Sequence, residues 1–386
     1  MTSPRAYLDH NATSPVRPEV VEAVACALLL PGNPSSVHAE GRAARSALET
    51  ARDRIGRLVG IGAGRVIFTS GGTEAANAVL SGALTKTGMP PVTRLLIGAT
   101  EHPCVSAGHR FAADAVDVIP VDAAGLIDLE ALRHLLDRHA DAGVLISVHA
   151  ANNETGVIQP LAEIVGLAHA HGRALVHSDA VQAVGKVPLD FAGLGLDALT
   201  LSGHKFAAPK GVGALVLAEG VSLGTAFVRG GGQEGRLRCG TENLPGLVGM
   251  GVAAEIALAH LPAVDARQRD AIEARLRSLA PDLVVFGDGA PRLPNTLSFA
   301  IPGLDAPTAV MALDLAGIAV SSGSACASGK VARSPVLAAM GVSPAVAAGA
   351  LRVSFGWNSV ESDGARLFAA CERLVVTLYQ RRGQAA

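Results

Sequence analysis

The chain has 386 residues, 49% hydrophobic and 17% charged, enough to bury a sizeable core and to build two domains or one large domain with an annex. Its formal net charge of -2 supplies no basic field, so nucleic acid is not an expected partner. The first ten residues hold no apolar leader, and charged or turn residues break every later apolar run, so no membrane segment is expected and the chain reads as soluble and cytoplasmic.

Taken in order, residues 17–30 place Val20, Val24, Ala27 and Leu28 at helical spacing after Pro18, which suits a first helical turn. A longer helix is predicted over 39–59, where Ala44, Leu48, Ala51, Ile55 and Leu58 form one stripe. β-like runs follow at 65–69, 94–97, 115–119, 144–148, 174–177, 198–201 and 212–217, separated in part by helical stretches at 73–85, 128–139 and 161–171. The alternation predicts an α/β fold: a mainly parallel central sheet covered by helices, with a ligand crevice at the carboxyl ends of its strands.

Beyond about Ala259 the rhythm changes to a charged helix at 263–279, a strand at 295–300 and a helix at 360–379. The expected division is a large domain over 15–259 and a smaller α+β domain from 1–14 and 260–386. Five cysteines, Cys26, Cys104, Cys239, Cys326 and Cys371, lie far apart with no CxxC pair, which argues against a disulfide scaffold and a zinc site; no resident metal is expected.

Three segments carry chemistry. Residues 68–74, FTSGGTE, end a strand, turn on two glycines and open a helix; exposed amides and the helix dipole suit a phosphate, although a plain tight turn capped by Thr73 is the better reading unless something else in the chain needs a phosphate. Asp179 comes after the apolar run 174–176, where it is either the cap of the next helix or a carboxylate that keeps a pyridine nitrogen protonated. Lys205 comes after the strand at 198–201 and would enter the same crevice. A Lys–Asp pair is what pyridoxal phosphate needs, the amine for its aldehyde and the acid for its ring nitrogen.

Cys326 sits in 321–329, SSGSACASG, a run of small residues that cannot pack a core and is expected to be a mobile exposed loop. An isolated cysteine is otherwise most often a small buried hydrophobe, which is the reading for Cys26 and Cys371 and the preferred one for Cys104 and Cys239.

With these residues in view the chain resembles the cysteine desulfurases that supply sulfur for nitrogenase and housekeeping iron–sulfur clusters. The matching blocks are YLDHNATSPV at 7–16, GNPSSVHAEGRAAR at 32–45, FTSGGTEAAN at 68–77, EHPCV at 101–105, ANNETGV at 151–157, HSDAVQAVGK at 177–186, SGHKFAAPKGVGAL at 202–215, RGGGQEGRLRCGTEN at 229–243 and SSGSACASG at 321–329.

The resemblance implies a fold-type I pyridoxal-phosphate homodimer. Lys205 would attach the cofactor and remove the substrate α-proton, Asp179 would partner the ring nitrogen, Gln182 the ring hydroxyl, and His102 would stack on the ring and shuttle a proton. Gly72, Thr73, Ser202 and His204 would hold the phosphate, with Thr241 contributed by the other subunit. Asn152 and Arg352 would hold the substrate carboxylate, and Asn33 and His38 would lie at the substrate mouth. Cys326 would take sulfur from L-cysteine as a persulfide, leaving L-alanine, and pass it to an acceptor such as an iron–sulfur scaffold, where it would meet a nascent cluster.

The chain departs from the commoner pattern at Ala208 before Pro209, at Cys239 before Gly240 and at His10. Selenocysteine cleavage, transamination or a non-enzymatic sulfur relay are the competing readings; the last predicts erosion at Lys205, Asp179 or Cys326, all of which are intact.

Overall fold

The computed structural model describes residues 5–323 and 334–384. Seven strands form the main sheet: β1 (Val66–Thr69), β2 (Val92–Gly98), β3 (Val116–Ile119), β4 (Gly143–Ser147), β5 (Ala174–Asp179), β6 (Ala198–Ser202) and β7 (Gly213–Leu217). Their spatial order is β1-β7-β6-β5-β4-β2-β3, and only β7 runs antiparallel to its neighbours. Each is one of the seven β-like runs of the sequence, within two residues at either end.

The central strands read as unbroken apolar runs because both faces are covered. Side chains alternate across the pleat. Val144, Ile146, Val176, Leu199 and Leu201 enter one core with α1 (Pro18–Leu28) and α2 (Ala39–Val59), through Val20, Ala44, Leu48 and Ile55. Leu145, Leu175, Ala198 and Leu215 enter a second core with α3 (Gly72–Val79), through Ala75, Ala76 and Val79.

The α2 stripe is closed at both ends by local chemistry. His38 accepts from the Gly41 amide at the start, and Gly60 adopts a left-handed φ of 75° at the finish, a conformation that costs glycine nothing. The helix predicted over 73–85 stops at Val79, because Gly82 turns the chain at φ 79° and residues Leu84–Lys86 pair instead with Val221–Leu223.

The rest of the chain builds a four-stranded antiparallel sheet: β8 (Val284–Val285), β9 (Thr296–Ala300), β10 (Ser321–Ser322) and β11 (Ala350–Ser354), ordered β8-β9-β11-β10. Helices Arg267–Leu279, Ala306–Leu315 and Glu361–Gln384 cover it, with Ile272, Leu276, Leu297, Phe299, Leu313 and Leu367 in a separate core. Ala6–Tyr7 pairs in parallel with Ile318–Ala319, so residues that begin the chain belong to this small-sheet core, Ala6 and Leu8 included. No helix among the described residues is long and apolar enough to cross a membrane.

Candidate active site

The site lies at the carboxyl ends of β5 and β6, where helices and sheet leave a crevice. β5 ends on Asp179, which is 7% exposed. One of its oxygens accepts from the Val181 amide at 2.9 Å, and the other faces the Cys104 thiol at 3.6 Å. Burial raises the Asp179 carboxyl pKa, an effect that the Val181 amide partly offsets. Burial, reinforced by the Asp179 and Glu101 charges, pushes the Cys104 pKa far up, so Cys104 stays a thiol and donates.

β6 ends on Ser202, and the single 3-10 turn Gly203–Lys205 carries the lysine into the crevice. Lys205 Nζ donates to the carbonyls of Asn11 at 2.6 Å and Ala12 at 2.9 Å. Its neighbour His204 sits 3.2 Å from Thr13 Oγ1, and burial together with Lys205, Lys210 and Lys186 holds its pKa down to about 4.

Between β1 and α3 the chain turns on Gly71 and Gly72. Gly71, not Thr73, occupies the cap position, and it offers no side chain to the first-turn amides. A Cβ on Gly72 would meet Val181 Cγ2 at 2.7 Å, so the turn is pressed against the segment just after Asp179.

His102 starts the short helix Pro103–Ser106, its Nδ1 accepting from the Cys104 amide at 3.1 Å. That bond leaves the ring proton to Nε2, and burial lowers the His102 pKa. Behind it, Glu101 Oε1 accepts from the His149 amide at 2.6 Å and lies 2.8 Å from His149 Nδ1. Burial opposes charge on His149, but the Glu101 carboxylate outweighs it and the His149 pKa is raised.

The opposite wall comes from the small sheet and the start of the chain. Arg352, central in β11 and 2% exposed, donates from Nη1 to the Asn153 carbonyl at 2.8 Å and from Nη2 to Asp9 at 2.8 Å. Its Nε is buried without a hydrogen-bond partner. Asn11 ties this wall to the other: its carbonyl takes both Lys205 Nζ and Gln182 Nε2, and its side chain takes Lys186 Nζ at 2.9 Å and bonds Thr296 Oγ1 at 2.9 Å.

One cavity of about 320 Å³ joins these groups. Of the residues singled out in the sequence, it brings together Gly72, Thr73, His102, Asp179, Gln182, Ser202, His204, Lys205 and Arg352. A wider groove of about 780 Å³ also touches Lys205 but reaches neither Asp179 nor His102, so the paired chemistry belongs to the smaller space.

Asn152 is buried but off the cavity wall: its amide donates to the Thr100 carbonyl, and its Oδ1 accepts from the amides of Glu154 and Thr155, which shapes the turn that presents Asn153. Asn33, His38 and Thr241 are exposed and also off that wall. Cys326 lies outside the described residues. Sequence reasoning assigned no role to Asp9, Asn11, Glu101, His149 or Lys186. All except His149 fall in the family-like blocks, so position within a block was the signal available.

A lysine and an acid at the ends of adjacent strands of a mainly parallel sheet, with a glycine turn at a helix start beside them, define a fold-type I site for a phosphorylated aldehyde cofactor. The chain belongs to the class-V aminotransferase family, whose model matches residues 6–367 and whose members are pyridoxal-phosphate enzymes. It is 42% identical over 377 residues to a cysteine desulfurase of Cereibacter sphaeroides, covering 96% of both chains. Among solved structures it is similar to a NifS-like protein from Rickettsia africae, with a TM-score of 0.84 and 33% identity over 96% of this chain and 99% of that one. It is also similar to a protein called SspA in complex with cysteine, with a TM-score of 0.75 and 28% identity over 91% of this chain and 98% of that one.

The residues present fit pyridoxal phosphate. The Gly72 turn has no room for a Cβ and no side chain caps it, which leaves first-turn amides for a phosphate. Asp179 and Lys205 supply the acid and the amine on the same wall.

Proposed function

We propose that this protein is a cysteine desulfurase, which converts L-cysteine to L-alanine and leaves the sulfur as a persulfide on Cys326. The observation that carries the reading is the meeting of Lys205, Asp179 and Arg352 in one cavity of about 320 Å³. Pyridoxal phosphate, when bound, supplies an electron sink for the charge left on the substrate α-carbon.

Lys205 would hold the cofactor aldehyde and, as a free amine, would take the substrate α-proton at Nζ. Asp179 would keep the ring nitrogen protonated, Gln182 would partner the ring hydroxyl, and His102 would stack on the ring and pass a proton from its Nε2 side. Gly72, Thr73, Ser202 and His204 would hold the phosphate. Arg352, whose guanidinium lines the cavity, would bind the substrate carboxylate, while Asn152 acts from behind by shaping the turn that bonds Arg352. Asn33 and His38 belong to the approach rather than the cavity.

Cys326 attacks the substrate sulfur as a thiolate. The Cβ–S bond of the substrate breaks, an S–S bond forms on Cys326, and Cβ gains the proton that makes alanine. No external oxidant is needed.

The enzyme works as a cytoplasmic homodimer. Exposure of Thr241, away from its own cavity, supports its use in the second subunit's phosphate site. Residues 15–259 form the cofactor domain, and 1–14 with 260–386 the domain that carries Cys326. The persulfide goes to a sulfur acceptor such as an iron–sulfur scaffold.

The test is alanine and persulfide formation from L-cysteine by the protein loaded with pyridoxal phosphate, beside Cys326→Ala and Lys205→Ala. The expected result is both products from the unaltered protein and neither from Cys326→Ala, which still binds cofactor. An unaltered protein that binds cofactor and makes neither product overturns the assignment, and selenocysteine as substrate is then the next assay.

A further inference from the structure

Segment 229–243 offers the site only Thr241, yet its side chains converge on the glycine turn of the same chain. Glu234, whose side chain is 2% exposed, accepts from Arg52 Nη1 and Nη2 at 2.7 Å each. The same carboxylate accepts from the Phe68 amide of β1 at 2.8 Å. Arg52 in turn donates to the Val66 carbonyl at 2.9 Å and lies 4.5 Å over the Phe68 ring.

Four residues further on, Arg238 Nε donates to Glu74 Oε1 at 3.0 Å, and Glu74 Oε2 takes the Ser70 hydroxyl. Ser70 and Glu74 flank Gly71, Gly72 and Thr73. One segment therefore grips the turn upstream at Phe68 and downstream at Glu74.

The backbone of the segment is bent to make this possible. Glu234, Gly235 and Arg236 all have left-handed φ values, of 47°, 63° and 68°, a conformation that side-chain-bearing residues hold only when their surroundings impose it. Cys239 Sγ on the Gly231 carbonyl at 2.9 Å and the Gly240 amide on Gln233 Oε1 at 3.1 Å close the loop on itself.

We propose that segment 229–240 is a latch on the anion turn, with Glu234 and Arg238 as positioning residues that hold the Gly71–Thr73 amides in the shape a phosphate monoester requires. Neither residue lines the cavity, so both act through the turn. The inference rests on the pyridoxal-phosphate reading of the site and extends it to residues with no contact to cofactor or substrate.

The experiment compares pyridoxal phosphate with pyridoxal, which lacks the phosphate, in titrations of cofactor-free protein followed by visible absorption of the lysine adduct. Arg238→Ala leaves the Arg52–Glu234 clamp untouched, Arg238→Lys is the conservative rescue, and Glu234→Gln weakens the clamp. Each variant is first checked for an unaltered far-UV spectrum.

In Arg238→Ala and Glu234→Gln the affinity for pyridoxal phosphate is expected to fall about tenfold or more while that for pyridoxal holds, with partial recovery in Arg238→Lys. Equal losses for both ligands in both variants would make the segment a general structural support and overturn the proposal, as would no loss for either ligand. Failure of the unaltered protein to take up either ligand would instead overturn the cofactor reading itself.

Discussion

The wall of the cavity supplied by the seven-stranded sheet and the wall facing it differ in what they contribute. On the sheet side, Asp179, Ser202 and Lys205 sit at or one turn beyond strand ends, on strands buried over their whole length. The facing wall, from residues 9–12, the Asn153 turn and β11, contributes carbonyls and one arginine whose partners are as much as 343 residues away in sequence. Reactive groups ride on rigid elements; the groups that orient them come from segments that only the tertiary fold brings close. The first wall sets which bonds can change, the second sets the angle at which the substrate meets them.

The largest test of that division is on the sheet side. Lys205→Ala is expected to abolish the visible absorption of the lysine adduct and to lower the turnover of L-cysteine by roughly 10³- to 10⁴-fold, measured by alanine release. A variant that keeps the absorption band would place the reactive amine elsewhere and break the comparison.

The next effect concerns the Asn153 turn of the facing wall, where Glu154 accepts from Ser334 Oγ at 2.5 Å. Burial raises the Glu154 carboxyl from its ordinary 4.5 to about 7, against the pull of Ser334 and Arg352. The native chain keeps a proton there that the unfolded chain loses above about 4.5. Stability therefore declines as pH rises from about 4.5 to 7, by about 3 kcal/mol in all, and is flat for this group beyond. Glu154→Gln should remove that slope, seen as the difference between variant and unaltered protein in urea midpoints at pH 5 and pH 8. Parallel midpoint changes in the two proteins would show that Glu154 does not titrate in this window.

On the facing wall, Arg352→Lys keeps the charge but loses the planar fork that reaches Asp9 and Asn153. We expect kcat/KM for L-cysteine to fall roughly tenfold to a hundredfold, chiefly through KM, because a carboxylate that does not react is bound alike in the ground and transition states. A loss confined to kcat would move Arg352 to the chemical step. Smallest is Asn11→Ala: the carbonyl that receives Lys205 remains, while the side-chain acceptor of Lys186 and the bond to Thr296 are lost. A stability loss of about 1–2 kcal/mol in urea, with Lys205 chemistry retained, is the expected outcome.

The same division decides what could be read from the sequence. The four central strands of the main sheet are legible because Val, Ile and Leu runs buried on both faces leave a continuous apolar pattern, and the ends of two of them locate Asp179 and Lys205. The facing wall left no such trace: a main-chain carbonyl, such as those of Asn11 and Ala12, has no residue type to announce it. Arg352 came from the family resemblance, since an arginine in an apolar strand gives no hint of what it faces. The stop of α3 at Val79 was missed because Ala78, Val79, Leu80 and Leu84 continue an apolar rhythm across the Gly82 turn. Pattern reading tracks burial, and burial there passes from helix to strand without a break.

The pairing of Ala6–Tyr7 with Ile318–Ala319 sets a schedule for biosynthesis. The Asn11 amide hangs on Ser354 Oγ, and the Ser354 amide on the Leu8 carbonyl. A ribosome that has released residues 1–217 has delivered every strand of the main sheet and the turn that carries Lys205, but the bonds that hold residues 6–11 from the other side, to 317–319 and Ser354, are still to come. Completion of the cavity is thus a late event in the life of the nascent chain, and a truncated product would carry the reactive lysine without Arg352 and without the small-sheet contacts that steady residues 6–11.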